Sequence, residues 1–150
     1  MRVVKMNLLR EYIRQILLTE RNGPANMFLD EMKASFYSGP KGTLVEKFPD
    51  GCEVRISLKD HTDSDTVRFD FIETVDSKGR ESDECYKKGY ARNVMETVVN
   101  KADMYDITLE LEVGAYGEFG AEHDDLYRFY GSVGFVPSTN DYGHMIREPK

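Results

Sequence analysis

Residues 89–113, GYARNVMETVVNKADMYDITLELEV, change their apolar period part-way along. Ala91, Val94, Met95, Val98 and Ala102 recur at helical spacing. From Ile107 onward, Ile107, Leu109, Leu111 and Val113 alternate with Thr108, Glu110 and Glu112. The first pattern predicts an amphipathic helix starting near Gly89, and the second a half-buried strand. Upstream, Val67, Phe69 and Phe71 alternate with Arg68 and Asp70, so a strand precedes the helix across the polar residues 76–88. Strand, helix and strand in that order imply a parallel crossover. Further back, Val54, Ile56 and Leu58 alternate with Arg55, Ser57 and Lys59. The connector Asp60-His61-Thr62-Asp63-Ser64-Asp65 joins this run to the next as an antiparallel hairpin. The connector mixes Asp and His but has no recognised ligand spacing, so it reads as a solvated turn. Parallel and antiparallel pairing together predict a mixed sheet with helices on its faces, an α/β arrangement.

The flanks add smaller elements. Leu9, Tyr12, Ile13, Ile16 and Leu17 fall at helical spacing behind a possible cap at Asn7. Arg10, Glu11 and Arg14 interrupt the apolar run, so the segment reads as a packing helix rather than a signal peptide. Arg21-Asn22-Gly23-Pro24 is a breaker. Residues 27–37 fit a short helix or a strand equally well. Residues 43–48 read as a strand and Pro49-Asp50-Gly51 as a turn. Residues 114–122 (GAYGEFGAE) read as a loop, and Asp124 to Tyr130 as a short helix stopped by Gly131. Phe135-Val136 and His144–Arg147 read as two last strands. No repeat and no linker divides the chain, which reads as one domain over 1–150.

Composition narrows the function. Twenty basic against 27 acidic residues give a net charge of −7, which argues against a nucleic-acid partner held by a basic face. No apolar run is long enough for a membrane span. Cys52 and Cys85 form neither a CxxC nor a zinc spacing and make no disulfide framework, so a reduced, cytoplasmic setting is the expectation. No metal site is expected.

Three places can carry chemistry. Lys87-Lys88-Gly89-Tyr90-Ala91 places two cations and a glycine at a helix start, where unpaired N–H groups and the helix dipole favour a phosphate. A simple turn explains the same residues. If the strand keeps its alternation past Phe71, Glu73 shares a face with Val67, Phe69, Phe71 and Val75. A carboxylate there is paired, at the sheet edge, or held with a raised pKa, and in the last case it is a candidate general base. A register shift at a bulge would instead turn Glu73 to water. Leu126-Tyr127-Arg128-Phe129-Tyr130-Gly131-Ser132-Val133-Gly134-Phe135 reads, by spacing alone, as a short amphipathic helix with core aromatics.

Phe129-Tyr130-Gly131-Ser132-Val133-Gly134-Phe135 resembles the FYxxxGF segment late in the GNAT superfamily of N-acetyltransferases. Lys88-Gly89-Tyr90-Ala91 resembles the second half of that superfamily's acyl-CoA loop, [RQ]xxGx[GA]. One helix and one alternating strand lie between the two motifs, and Met145-Ile146-Arg147-Glu148-Pro149 resembles a closing strand. The likeness covers roughly residues 50–150. It implies a mostly antiparallel central sheet flanked by helices. It also implies transfer of an acetyl group from acetyl-CoA to the amine of a small molecule, peptide or protein. On that resemblance, Lys87, Lys88, Gly89, Tyr90, Ala91 and Arg92 surround the CoA pyrophosphate. Phe71, Ile72, Thr74 and Val75 belong to the strand that pairs with the pantetheine arm. Tyr130 protonates the departing thiolate, and Glu73 serves as base, often through water.

The chain also departs from the pattern. Tyr86 stands at the loop's Arg or Gln position, Lys87 at its next glycine, and His123 where an Asn is common. His123 then binds CoA or substrate, or caps its helix. Glu118, Glu122, Asp124 and Asp125 form either an acidic rim for the amine or a solvated loop. A non-catalytic acyl-CoA-binding or interaction module on the same fold is the competing reading. Met27, Phe28 and Phe36 fit a homodimer face or a monomer's core.

Overall fold

The computed structural model describes residues 8–13, 23–61, 63–113, 123–138 and 143–150. Residues 8–13 are helical and exposed. The helix expected around them extends into 14–18, which lies outside the described residues, as does the segment 114–122 expected to be a loop.

The ambiguous segment 27–37 is mostly helix. Helix α1 spans Pro24–Ser35, with proline in its first turn, where a missing N–H costs nothing. Its buried residues Ala25, Phe28, Leu29 and Met32 make one face. Phe28 is fully buried, so it belongs to the core and not to a dimer face. Short strand β1 (Tyr37–Ser38) and a 3₁₀ turn (Pro40–Gly42) lead into β2 (Leu44–Lys47). Strands β3 (Glu53–Asp60) and β4 (Thr66–Val75) form the expected hairpin. Helix α2 (Asp83–Tyr86), one turn within residues 76–88, was not expected. Helix α3 (Tyr90–Met104) and β5 (Thr108–Glu112) confirm the change of period. Helix α4 (His123–Ser132) runs through Gly131 instead of stopping there. Strands β6 (Val136–Pro137) and β7 (His144–Arg147) close the fold.

The described residues form a sheet of seven strands in the order β1-β2-β3-β4-β5-β7-β6. Among the described residues only β4 and β5 pair in parallel, so the sheet is mixed and mostly antiparallel, as expected. One face buries Val54, Ile56, Val67, Phe69, Ile72, Leu109, Leu111 and Met145 in a single cluster. Phe28 and Met32 of α1, Val94, Met95 and Val98 of α3, and Leu126 and Tyr130 of α4 complete it. Among the described residues, no helix is long and apolar enough to cross a membrane.

Two local features shape everything that follows. The β3–β4 register pairs Ile56 with Ile72, Ser57 with Phe71, and then Leu58 with Phe69. Asp70 is the extra residue, a β-bulge. Side chains beyond it change face, so strict alternation does not continue through β4. The second feature is a disulfide between Cys52 and Cys85, whose Cα atoms lie 5.6 Å apart. This corrects the expectation of two separate, reduced cysteines. Sequence spacing says nothing about the fold of the β2–β3 turn over α2, which brings them together.

Candidate functional site

The parallel pair β4–β5 is joined only from Thr66 to Phe69 on β4 and from Thr108 to Leu111 on β5. Past the bulge, β4 keeps β3 on one side, with Arg55 opposite Glu73 and Val54 opposite Thr74. On the other side no described strand pairs it until Val75 bridges Glu81. Unpaired N–H and C=O groups along such an edge are available to a ligand.

A cleft of about 260 Å³ opens at this edge. Ile72, Glu73 and Thr74 form one wall. Leu126 and Phe129 of α4 and the segment leading from α2 into α3 form the others. Gly89 sits at the N-cap of α3 with φ 74°, in the left-handed region that glycine enters without a steric cost. No side chain caps this helix. The N–H groups of Tyr90, Ala91 and Arg92 therefore have no intrahelical acceptor. A Cβ built on Gly89 meets nothing within 4 Å, so the backbone there is open to close approach.

Charge around the cleft is mixed. Lys87 and Arg92 line it, and so do Glu81 and Asp83. Arg92 also spans from α3 to α4: Nη1 donates to Ser132 Oγ at 2.7 Å, and the guanidinium lies 5.5 Å from the Phe129 ring centroid. Tyr86, which departs from the acyl-CoA loop pattern, lines the cleft itself.

Lys88 and Tyr90 turn elsewhere. Lys88 Nζ and the Tyr90 hydroxyl both donate to Asp50 Oδ2 at 2.6 Å, and the Cys52 N–H donates to Asp50 Oδ1 at 3.0 Å. These bonds, that of Lys88 foremost, hold the Asp50 carboxyl down at about 2. The same carboxylate raises the Lys88 ammonium and the Tyr90 phenol. The Tyr90 ring stacks on Phe48, with centroids 3.8 Å apart. With the buried Cys52–Cys85 disulfide, these contacts fasten the β2–β3 turn to both sides of the α2–α3 junction. Pro49-Asp50-Gly51 is legible in sequence as a turn, but nothing in it names Lys88 and Tyr90 as partners.

The remaining candidates fall in different places. The bulge puts Phe71 and Glu73 on the face opposite Phe69 and Ile72, which is the register shift weighed in sequence. Glu73 is therefore not embedded in an apolar face. Its side chain is 37% exposed and lies 4.0 Å from Arg55 Nη1. Val75 is buried at the strand end. Tyr130 is fully buried, with its ring set edge-on to Phe69, Phe129 and Phe135 at 6.3, 5.3 and 5.8 Å between centroids. It lies one residue from Phe129 and one turn from Leu126, both of which line the cleft. The backbone of His123 begins α4. Its side chain lies outside what is described, as do those of Glu118, Glu122 and Asp124. Asp125 is exposed and pairs with Arg128 at 3.6 Å.

An ion pair missed in sequence braces the far end of α3. Buried Arg147 binds both carboxylate oxygens of Asp103, at 2.7 and 2.9 Å, and donates from Nε to the Val133 carbonyl at 2.8 Å.

No protein-family model and no curated protein matches the chain. Among solved structures, it is similar in outline to the anti-CRISPR protein AcrVA5, with a TM-score of 0.46 and 19% identity over 69% of this chain and 96% of that one. It is also similar to AtaTR, solved bound with AcCoA, with a TM-score of 0.42 and 13% identity over 71% of this chain and 64% of that one.

Proposed function

We propose that the chain is an acetyl-CoA-dependent N-acetyltransferase of the GNAT type. The observation that carries this reading is the parted β4–β5 pair. No described strand pairs with Ile72–Thr74 on the β5 side, and the same cleft ends at the uncapped start of α3. An extended amide-bearing arm suits the edge, and a pyrophosphate suits the helix start. Lys88 is occupied by Asp50, so the balancing charge falls to Lys87 and Arg92.

Bound acetyl-CoA supplies a thioester whose carbonyl carbon takes the amine lone pair, the C–N bond forming as the C–S bond breaks. Only the neutral amine attacks, and an amine of pKa near 10 is mostly protonated at pH 7. Glu73 is the proton acceptor in this reading, directly or through water. Tyr130 is the proton donor to the leaving thiolate, since a phenol is protonated at pH 7. Tyr130 is buried and is not among the residues that line the cleft, so the reading requires its hydroxyl to reach the thiolate past Leu126 and Phe129.

Calorimetric titration with acetyl-CoA, with acetate as control, tests the cleft. Micromolar affinity supports it, and no binding at millimolar concentration overturns it. Tyr130→Phe is expected to lower kcat by at least tenfold while leaving acetyl-CoA affinity unchanged. Unchanged turnover would leave Tyr130 a core aromatic. Binding without turnover on any amine would favour a non-catalytic acyl-CoA-binding module.

A further inference from the structure

A second cavity, of about 500 Å³, lies along the opposite face of β3 and β4. Arg55, Ser57 and Lys59 of β3, Phe71 and Glu73 of β4, and the turn holding Lys41 line it. Glu73 lines both this cavity and the cleft, so the two hollows meet at its side chain.

The charges in this cavity are uneven. Each carboxylate has a guanidinium beside it: Asp70 accepts from Arg68 Nε at 2.7 Å, and Glu73 lies 4.0 Å from Arg55 Nη1. Lys41 and Lys59 are both exposed and have no acidic partner among the described residues. They are uncompensated cations in a chain of net charge −7.

The turn carrying Lys41 is also fixed. Lys41 has φ 56°, unusual for a residue with a side chain. Thr43 pins the turn by donating its N–H and its hydroxyl to the Pro40 carbonyl at 3.1 and 2.8 Å. Gly39 packs so closely that a Cβ there would stand 2.5 Å from Thr43 Oγ1 and from Val45 Cγ2.

Register then sets a length. Arg55 pairs with Glu73, Ser57 with Phe71, and Lys59 with Arg68. Lys59 is therefore four residues along β3 from the position opposite Glu73, about 13 Å at the usual strand rise. The lysine side chain shortens that gap by roughly half when it reaches back along the strand. An α-amino acid, with amine and carboxylate on one carbon, is too short to touch both ends. A five- or six-carbon chain is long enough, and Phe71 supplies an apolar surface midway.

We propose that this cavity takes the acceptor, and that the acceptor is a primary amine on an extended chain whose far end carries a carboxylate. The amine lies at Glu73, beside the cleft, and the carboxylate lies between Lys41 and Lys59. The inference rests on the transferase reading for the reaction and goes beyond it in naming the substrate class. A free ω-amino acid and an acidic residue beside a peptide lysine both present this chemistry.

The test compares 6-aminohexanoate with hexylamine, which is the same chain without the carboxylate, and with glycine. An amidated Lys-Glu peptide forms a further arm. Thiol release from acetyl-CoA and calorimetric binding in the presence of CoA are both measured. We expect kcat/KM for 6-aminohexanoate to exceed that for hexylamine by at least tenfold, with glycine poorer than either. The variant K41Q/K59Q is expected to erase the preference by raising KM, with kcat unchanged. Its lysines are exposed, so the thermal midpoint checks that folding is intact. Better use of the Lys-Glu peptide would identify a peptide source within the same class. Equal use of hexylamine, or a preference that survives in K41Q/K59Q, overturns the proposal. If no amine turns over, the binding arm decides: tenfold preference for 6-aminohexanoate, lost in K41Q/K59Q, sustains the cavity assignment, and its absence ends it. Failure to bind acetyl-CoA, measured separately, counts against the transferase reading and not against the cavity.

Discussion

Removal of the Cys52–Cys85 bond tests how the α2–α3 junction is held. The bond joins residues 33 apart in sequence, so it closes a loop of intermediate length in the unfolded chain. Loop-closure entropy for that length amounts to about 4 kcal/mol at 25 °C. For a domain of this size 1 kcal/mol corresponds to about 2–4 °C in Tm, so loss of the bond should lower Tm by about 8–16 °C. Both sulfurs are buried, and serine would place an unpaired hydroxyl in each site, so alanine is the cleaner replacement. The assay is thermal unfolding of the wild type, oxidised and reduced, beside Cys52→Ala/Cys85→Ala. Similar losses in the reduced protein and the double variant would assign the effect to the cross-link, because reduction removes no atoms from the core. Hydrogen exchange supplies the location: amides of residues 82–89 should exchange faster, while those of β3 and β4 follow global stability. A loss below about 1 kcal/mol in both proteins would refute the reasoning. It would mean that Asp50, Lys88, Tyr90 and Phe48 already confine the segment, or that the unfolded chain keeps the two cysteines close.

Three further outcomes follow from single side chains. Asp50 has its carboxyl lowered from 3.8 to about 2, so its stabilising contribution is complete above the unfolded value and is lost as the pH falls through the folded one. The gap in unfolding free energy between wild type and Asp50→Asn, from urea titrations, should be constant above about pH 5 and shrink as the pH falls from about 4 through about 2; a gap undiminished at pH 2 would exclude the carboxylate charge as its source. Gly89→Ala should cost about 1–2 kcal/mol in thermal unfolding, from the left-handed backbone alone, because the added methyl meets open space; a larger loss would mean the site is not open. Asp103→Ala leaves the buried Arg147 guanidinium without its carboxylate and should cost about 3 kcal/mol by urea unfolding, with Asp103→Asn losing less; equal losses from the two would show that the shape of the pair matters and its charge does not.

The elements that sequence pattern reveals are those with a long, uninterrupted period. Helix α3 and strand β5 are legible because tertiary structure leaves their registers alone. Residues 27–37 are ambiguous only when read without Pro24. With that proline as the first helical residue, Ala25, Phe28, Leu29 and Met32 fall into one buried face. The resemblance at Phe129–Phe135 and Lys88–Ala91 points to residues that line one cleft, among them Gly89, Ala91 and Phe129, yet it does not distribute roles within it. Lys88 and Tyr90 belong to the motif but bind Asp50, about 40 residues away. Such pairings are set by the fold of the β2–β3 turn, and no local spacing encodes them. The disulfide is hidden for the same reason.

Glu73 shows how much can depend on one inserted residue. Strict period-two reading places it with Phe69 on the buried face, where it would be desolvated and reactive for that reason alone. Asp70 disrupts the period, and its carboxylate accepts from Arg68 Nε at 2.7 Å, two residues back on the same strand. The consequence reaches beyond Glu73. The paired part of β4 against β5 ends at Phe69, the residue before the bulge, so the same insertion that turns Glu73 outward coincides with the parting of the two parallel strands. A bulge bends its strand and increases local twist, and the described pairing with β5 ends beside it. The open edge, the cleft beside it and the placing of Glu73 where two cavities meet are thus one structural event. That event is centred on one inserted residue, Asp70.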